Sequence, residues 1–197
     1  MSQLPSDFVA QQISESIAVK EAILADAGMI AQIEAAADVM VESYRHGGRV
    51  LLAGNGGSAA DAQHIAAELV GRFSFDRPAL SAMALTTDTS MLTAISNDYG
   101  YESLFSRQLE ANARPGDVFI AISTSGNSPN VVQALTKATE LGIVSIGLTG
   151  ATGGQMADLC RICINIPSTD VPRIQEGHIT IGHILCAMTE HVLFVQN

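Results

Sequence analysis

DVFIAISTSGNSPNVVQAL, residues 117 to 135, decides the fold. An apolar run (DVFIAIS) ends in four hydroxyls, Ser123, Thr124, Ser125 and Ser128, with no charge among them. Pro129 suits the first turn of a helix with Ser128 as its N-cap, since proline lacks only a donor that the turn leaves unpaired anyway. Val131, Leu135 and Ala138 then repeat at helical spacing, and Gly142 ends the helix. Strand, hydroxyl-rich turn and helix N-terminus in succession place free backbone N–H groups, the positive helix end and side-chain donors together. This arrangement holds a phosphate without any lysine.

The same texture extends in both directions. RVLLAG (49–54), SAMAL (81–85), VSIGLT (144–149) and ICINIP (162–167) are short apolar runs separated by helix-length segments. Strands apolar on both faces and spaced in this way indicate a parallel α/β sheet covered by helices on each side, with ligands beyond the carboxyl ends of the strands. Ahead of them, Ile30, Ile33, Ala37, Met40, Val41 and Tyr44 recur every three or four residues until Gly47-Gly48. That predicts two N-terminal helices broken near Asp26 to Gly28. No repeat or linker divides the chain, so one domain over 1–197 is expected, a helical segment 1–46 preceding an α/β core 47–197.

With 10 basic and 20 acidic residues the net charge is −10, the wrong sign for nucleic acid. No apolar run is long enough to span a membrane, and the start, MSQLPSDFVA, has no export signal. A soluble cytoplasmic protein is expected. Cys160, Cys163 and Cys186 are too few for a disulfide framework, and Cys160-x-x-Cys163 reads as core packing rather than as a redox or zinc pair.

GNGGSAADAQHIAAELVGR, residues 54 to 72, is a second strand-turn-helix unit. Gly56 and Gly57 admit close approach of a ligand, and Asn55 and Ser58 add polar contacts. Asp61, His64, Glu68 and Arg72 share one side of its helix. His64 and Glu68, four apart, suit a metal or a base with its partner; taken alone, a solvated face with a Glu68–Arg72 ion pair explains this helix better. The last helix, PRIQEGHITIGHILCAMTEHVLF from Pro172, is apolar on nearly every side. His178 shares the stripe Ile174, Ile181, Leu185, Met188, Val192 and reads as packing. His183 lies with Glu176 and Thr180 on another side and suits chemistry better. His46 and His191 read as surface residues.

GNGGSAADAQH, TTDTS, NDYGY, ISTSGNS and RIQEGH, in this order, make the chain resemble the phosphoheptose (sedoheptulose-7-phosphate) isomerases of the sugar-isomerase (SIS) domain superfamily over essentially its whole length. The resemblance implies a five-stranded parallel sheet flanked by helices and a homotetramer, with N-terminal helices in the assembly and active sites between subunits. It implies interconversion of sedoheptulose 7-phosphate and D-glycero-D-manno-heptose 7-phosphate, the first step toward the heptose of lipopolysaccharide core or capsule. By position, Ser123, Thr124, Ser125 and Ser128 match the phosphate loop, Asn55, Gly56, Gly57, Asn97 and Asp98 the sugar contacts, and Glu68 and His183 the acid/base pair. Ser58 and Gln175 complete the expected substrate contacts. His64, Glu68, Gln175 and His183 match the zinc ligands of members that hold one ion per subunit. Pro172 stands where some members carry an acidic residue, leaving any polar role there to Asp170, and Gly177 where others carry a bulkier apolar one.

An aldose-ketose isomerase moves a proton between adjacent carbons through an enediol, which assigns Glu68 as base and His183 as its acid/base partner, with Asn97, Asp98 and Gln175 orienting hydroxyls. Gln175 and His183 are eight residues apart, about 12 Å along a regular helix, which is awkward for two ligands of one ion within one chain: either the helix starts irregularly near Gln175 or different subunits supply the two side chains, and a shared site is the expectation. The alternatives are a tetrameric adaptor for the bacterial replication initiator, which shares fold and motifs, and an isomerase of another sugar phosphate.

Overall fold

The computed structural model describes residues 6–195. The outermost residues of the expected 1–197 domain, including the first five of MSQLPSDFVA, lie outside that range. Element order is α1 (Phe8–Ala25), α2 (Ala27–Arg45), β1 (Val50–Gly54), α3 (Gly57–Val70), β2 (Ala82–Ala84), α4 (Thr89–Tyr99), a 3₁₀ turn (Tyr101–Ser103), α5 (Leu104–Asn112), β3 (Val118–Ile122), α6 (Pro129–Glu140), β4 (Val144–Thr149), α7 (Met156–Leu159), β5 (Ile162–Asn165) and α8 (Val171–Phe194). All five expected strands form. They make one parallel sheet in the order β2-β1-β3-β4-β5.

Strand alternation distributes the core. Val50, Leu52, Val118, Ile120, Ile122, Ile146, Leu148 and Ile164 face a layer built from α1, α2, α3 and α8, while Leu51, Ala53, Phe119 and Ala121 face α5, α6 and α7. A strand sandwiched in this way must be apolar at every position, which is why these runs show no polar alternation. The helices obey their periods too. In α6, Val131, Leu135 and Ala138 are fully buried, and in α8 the stripe Ile174, Ile181, Leu185 is buried but reaches the surface at Val192. Asp26 separates the first two helices and caps the second, its carboxylate accepting from the Met29 N–H at 3.0 Å.

Helices α3 and α8 lie side by side and parallel. A Cβ on Gly57 would stand 2.5 Å from Gln175 Nε2, and one on Gly182 would stand 2.6 Å from Ile65 Cδ1. Both helices therefore begin at the carboxyl edge of the sheet and run away from it together. Gly177 is taken up by packing, since a Cβ there would meet Ile166 at 2.8 Å. Among the described residues, no helix is long and apolar enough to cross a membrane.

Candidate active site

The turn after β3 gathers its hydroxyls. Ser123 Oγ lies 2.8 Å from Ser128 Oγ and 3.4 Å from Ser125 Oγ, and the Asn127 N–H donates to Ser125 Oγ at 3.1 Å. Ser128 occupies the N-cap position of α6, but its side chain makes no capping bond; it is turned to Ser123. Among the described residues, the backbone N–H groups of Thr124, Ser125 and Ser128 have no acceptor. Thr124 and Ser125 open onto a cavity of about 330 Å³ lined also by Gly150, Ala151, Ser168 and Ile174, with no charged side chain on its wall. Neutral donors around a space of that size suit the phosphate of a small sugar.

The turn after β1 is built differently from the sequence expectation. Asn55 and Asn130 exchange amide hydrogen bonds, Asn55 Nδ2 to Asn130 Oδ1 at 2.8 Å and Asn130 Nδ2 to Asn55 Oδ1 at 2.9 Å, and the Tyr101 hydroxyl donates to Asn55 Oδ1 at 2.9 Å. The Asn55 side chain thus ties the two turns together, leaving the backbone of 55–57 to face a ligand. Ser58 is buried, and its N–H bonds Asn55 O at 3.0 Å. Gln175 sits against Gly57, where the absence of a Cβ makes room for its amide. Asn97 and Asp98 are exposed on α4, and Asn97 Nδ2 donates to Asp98 Oδ1 at 2.8 Å; the isolated chain does not bring them to the other residues.

Two helical turns further along, the other group assembles. His64 Nε2 lies 3.1 Å from Glu68 Oε1, and His183 Nε2 lies 3.4 Å from His64 Nε2. One ligand atom from each of the three falls within 4.8 Å of the others. Glu68 pairs with His64, not with Arg72, which is exposed beyond the end of α3. Two imidazoles and a carboxylate are a donor set that suits zinc, which takes three such ligands at sites that leave a position open for water or substrate. Gln175, held beside Gly57, does not join them within one chain.

Three groups support this cluster, of which the sequence placed only Asp61, on the same helix side as His64 and Glu68. Asp61, one turn before His64, is half-buried, and burial pushes its carboxyl above the usual value against the pull of His64 and His183; its Oδ2 is buried without a hydrogen-bond partner. The i, i+3, i+7 spacing of Asp61, His64 and Glu68 was the available signal. Second, Arg77 donates to the Glu68 and Leu69 carbonyls at 2.9 and 2.8 Å, closing the end of α3 that carries Glu68. Third, Glu190 on α8 receives Arg77 Nε at 2.9 Å and the N–H groups of Phe73 and Ser74 at 2.9 and 2.7 Å. Burial opposes ionisation of Glu190, but these donors prevail and hold its carboxyl below the usual range. His178 is packing, as expected: it is buried, Nε2 donates to Thr149 O at 3.0 Å, and burial lowers it to about 4.

The family model of the SIS domain matches residues 13–150. The chain is 61% identical to the phosphoheptose isomerase of Aneurinibacillus thermoaerophilus, with 96% of each chain covered. It is 57% identical to phosphoheptose isomerase 2 of Campylobacter jejuni, covering 96% of this chain and 94% of the relative. Among solved structures it superposes on the phosphoheptose isomerase of Neisseria gonorrhoeae with a TM-score of 0.88 at 43% identity, covering 93% of this chain and 97% of that one. The Francisella tularensis phosphoheptose isomerase gives 0.89 at 35% identity, covering 96% and 100%. With the sheet, the hydroxyl turn and the His64–Glu68–His183 cluster already in place, these likenesses over nearly the full length establish that the chain belongs to the SIS domain family, among its phosphoheptose isomerases.

Proposed function

We propose that the chain interconverts sedoheptulose 7-phosphate and D-glycero-D-manno-heptose 7-phosphate through an enediol, the first step toward the heptose of lipopolysaccharide core or capsule. The observation that carries this reading is the convergence of Glu68 and His183, from two different helices, on one point. Ser123, Thr124, Ser125 and Ser128, with the free amides of their turn, bind the phosphate, and the backbone of Asn55, Gly56 and Gly57 with Ser58 lines the sugar. Glu68 takes the proton from one carbon and returns it to the next, while His183 exchanges a proton with the sugar oxygens; such groups each contribute about 10²- to 10⁴-fold. Asn97, Asp98 and Gln175 orient hydroxyls.

Zinc is the proposed metal, one ion per subunit, held by His64, Glu68 and His183 with Gln175 as fourth donor. When bound it would supply a Lewis acid for the sugar oxygens.

The working unit is a homotetramer with shared sites. Gln175 and His183 stand about 12 Å apart along the unbroken α8, so Gln175 of one subunit completes the cluster of another. Supporting this, α1 leaves Val9, Ile13, Ile17 and Leu24 at least 50% exposed, an apolar surface that a second copy would cover. The free state of Cys160, Cys163 and Cys186 supports a cytoplasmic location.

The direct test is incubation with sedoheptulose 7-phosphate and detection of the aldose phosphate, with Glu68→Gln as control. Turnover by the wild type and its loss in the variant are expected. A well-folded wild-type tetramer inert toward the heptulose but active on a pentose 5-phosphate would replace this substrate assignment.

A further inference from the structure

Cys160 and Cys163, expected as core packing, are only half-buried. Cys160 closes the short α7 and Cys163 lies on the edge strand β5, opposite Gly147 of β4. The two sulfurs meet over that glycine: the position its Cβ would take is 2.6 Å from Cys160 Sγ and 3.2 Å from Cys163 Sγ. Any larger residue would wedge them apart. Beside them a cavity of about 520 Å³ opens between α2 and β5, lined by Gln32, Ala35, Arg161 and both cysteines, so small reagents have a route to the pair. Cys186 is the contrasting case, buried under α3 with its thiol pushed up to about 12 by burial.

We propose that Cys160 and Cys163 form a redox-active dithiol that a peroxide converts to an intrachain disulfide and small thiols reopen. Sharing of a hydrogen bond with Cys160 brings the Cys163 thiol down to about 7, with burial opposing and the Thr149 hydroxyl assisting; the Cys160 thiol is correspondingly raised. Of the two sulfurs it is Cys163 Sγ that has polar partners, Thr149 Oγ1 at 3.9 Å and Asn165 Oδ1 at 3.2 Å, which assigns Cys163 as the attacking sulfur and Cys160 as the resolving one. The Asn165 amide oxygen takes the S–H of the thiol form. A half-turn of that amide presents Nδ2 to the thiolate and breaks the 2.7 Å bond in which the Thr149 hydroxyl donates to Asn165 Oδ1, freeing that hydroxyl to turn to Cys163 Sγ, 3.9 Å away.

The chemistry balances. The Cys163 thiolate attacks one peroxide oxygen, the O–O bond breaks, and hydroxide leaves and takes up a proton as water, giving the sulfenic acid. Cys160 sulfur then attacks the Cys163 sulfur, the S–S bond forms, the S–O bond breaks, and hydroxide leaves with the Cys160 proton as a second water. Two thiols are oxidised and one peroxide is reduced.

The test treats the full chain with hydrogen peroxide, quenches it, denatures the protein, labels thiols with a maleimide and maps peptides by mass. Of the three cysteines, only Cys186 should take the label. The segment holding Cys160 and Cys163 should weigh two hydrogens less, and dithiothreitol before labelling should restore both sites. In Cys160→Ser the reaction should stop at a sulfenic acid on Cys163, captured by dimedone, whereas Cys163→Ser should react with peroxide about tenfold more slowly than wild type. Full labelling of both cysteines after peroxide that oxidises free cysteine in the same tube overturns the proposal, as does a disulfide involving Cys186. The wild-type mapping needs no variant and no substrate, so the isomerase assay can fail without affecting it.

Discussion

His183 Nε2 lies 3.4 Å from His64 Nε2, with Glu68 Oε1 3.1 Å beyond His64. Two imidazole nitrogens that close cannot both present a hydrogen to each other, so at least one of them is a bare acceptor. Since the Glu68 carboxylate can only accept, the hydrogen belongs to His64 Nε2 and the bare nitrogen is that of His183, so the cluster offers a free imidazole lone pair and a carboxylate, which either a proton relay or a metal requires. Removing the carboxylate's charge or the second imidazole should therefore impair turnover while leaving the fold. Glu68→Gln and His183→Ala are each expected to lower kcat by about 10²- to 10⁴-fold with unchanged circular dichroism.

Sharing of sites between subunits has its own signature. Gln175→Ala and His183→Ala chains should each be nearly inactive alone. Denatured together and refolded as mixed tetramers, they should regain part of the wild-type activity, because some sites then carry both intact residues. Well-folded mixtures with no more activity than the parents would mean that each site needs Gln175 and His183 from the same chain.

Gly57→Ala puts a methyl 2.5 Å from Gln175 Nε2 and must push that amide aside. Stability should change little, as alanine favours a helix start over glycine. Displacement of a positioning group by about 1 Å costs on the order of 10²-fold, so kcat/KM for the heptulose should fall by roughly that factor in a coupled assay.

Arg77 and Glu190 are 2% and 1% exposed, and their pairing fixes the Phe73–Ser74 backbone to α8. Glu190→Gln leaves a buried guanidinium without its counter-charge, at a cost of about 3 kcal/mol or more. Urea unfolding of the variant should show the lowered midpoint, with activity loss following from the loosened end of α3.

His178 makes stability depend on pH. Its folded value is about 4 against 6.5 for the free side chain, so between those limits the unfolded chain binds the extra proton. Stability therefore rises with pH through this window and is lost as pH falls from 6.5 toward 4, by about 3 kcal/mol in all. His178→Gln should flatten that part of the melting-temperature profile. Glu190, whose carboxyl is lowered, contributes its own loss only below the ordinary carboxylate range, a separate and more acid step.

The fold was legible because each strand is sandwiched: a parallel strand with helices on both faces must be apolar throughout, and RVLLAG or DVFIAIS can hardly be read otherwise. The grouping of His64 with Glu68 followed from helical spacing, and the separation of Gln175 from His183 from helical rise. Contacts between distant segments left no such trace. Asn55 bonds Asn130 across 75 positions and Glu190 bonds Phe73 across 117. No local pattern announces either. Ser128 was placed correctly at the head of α6, but its hydroxyl turns to Ser123 rather than to the helix, a choice set by the neighbouring turn. The packing of Cys160 against the core followed from its apolar surroundings, but the cavity beside the edge strand, which leaves Cys160 and Cys163 half-buried, has no counterpart in any local pattern.

The uncharged wall of the cavity at Thr124 and Ser125 also bears on how substrate arrives. A polypeptide of net charge −10 repels an anion at long range, while amides and hydroxyls act only on contact. Capture is thus a short-range event against a repulsive field, so mobile ions that shorten the Debye length should speed encounter rather than slow it, the reverse of the behaviour of enzymes that draw phosphates in with lysines.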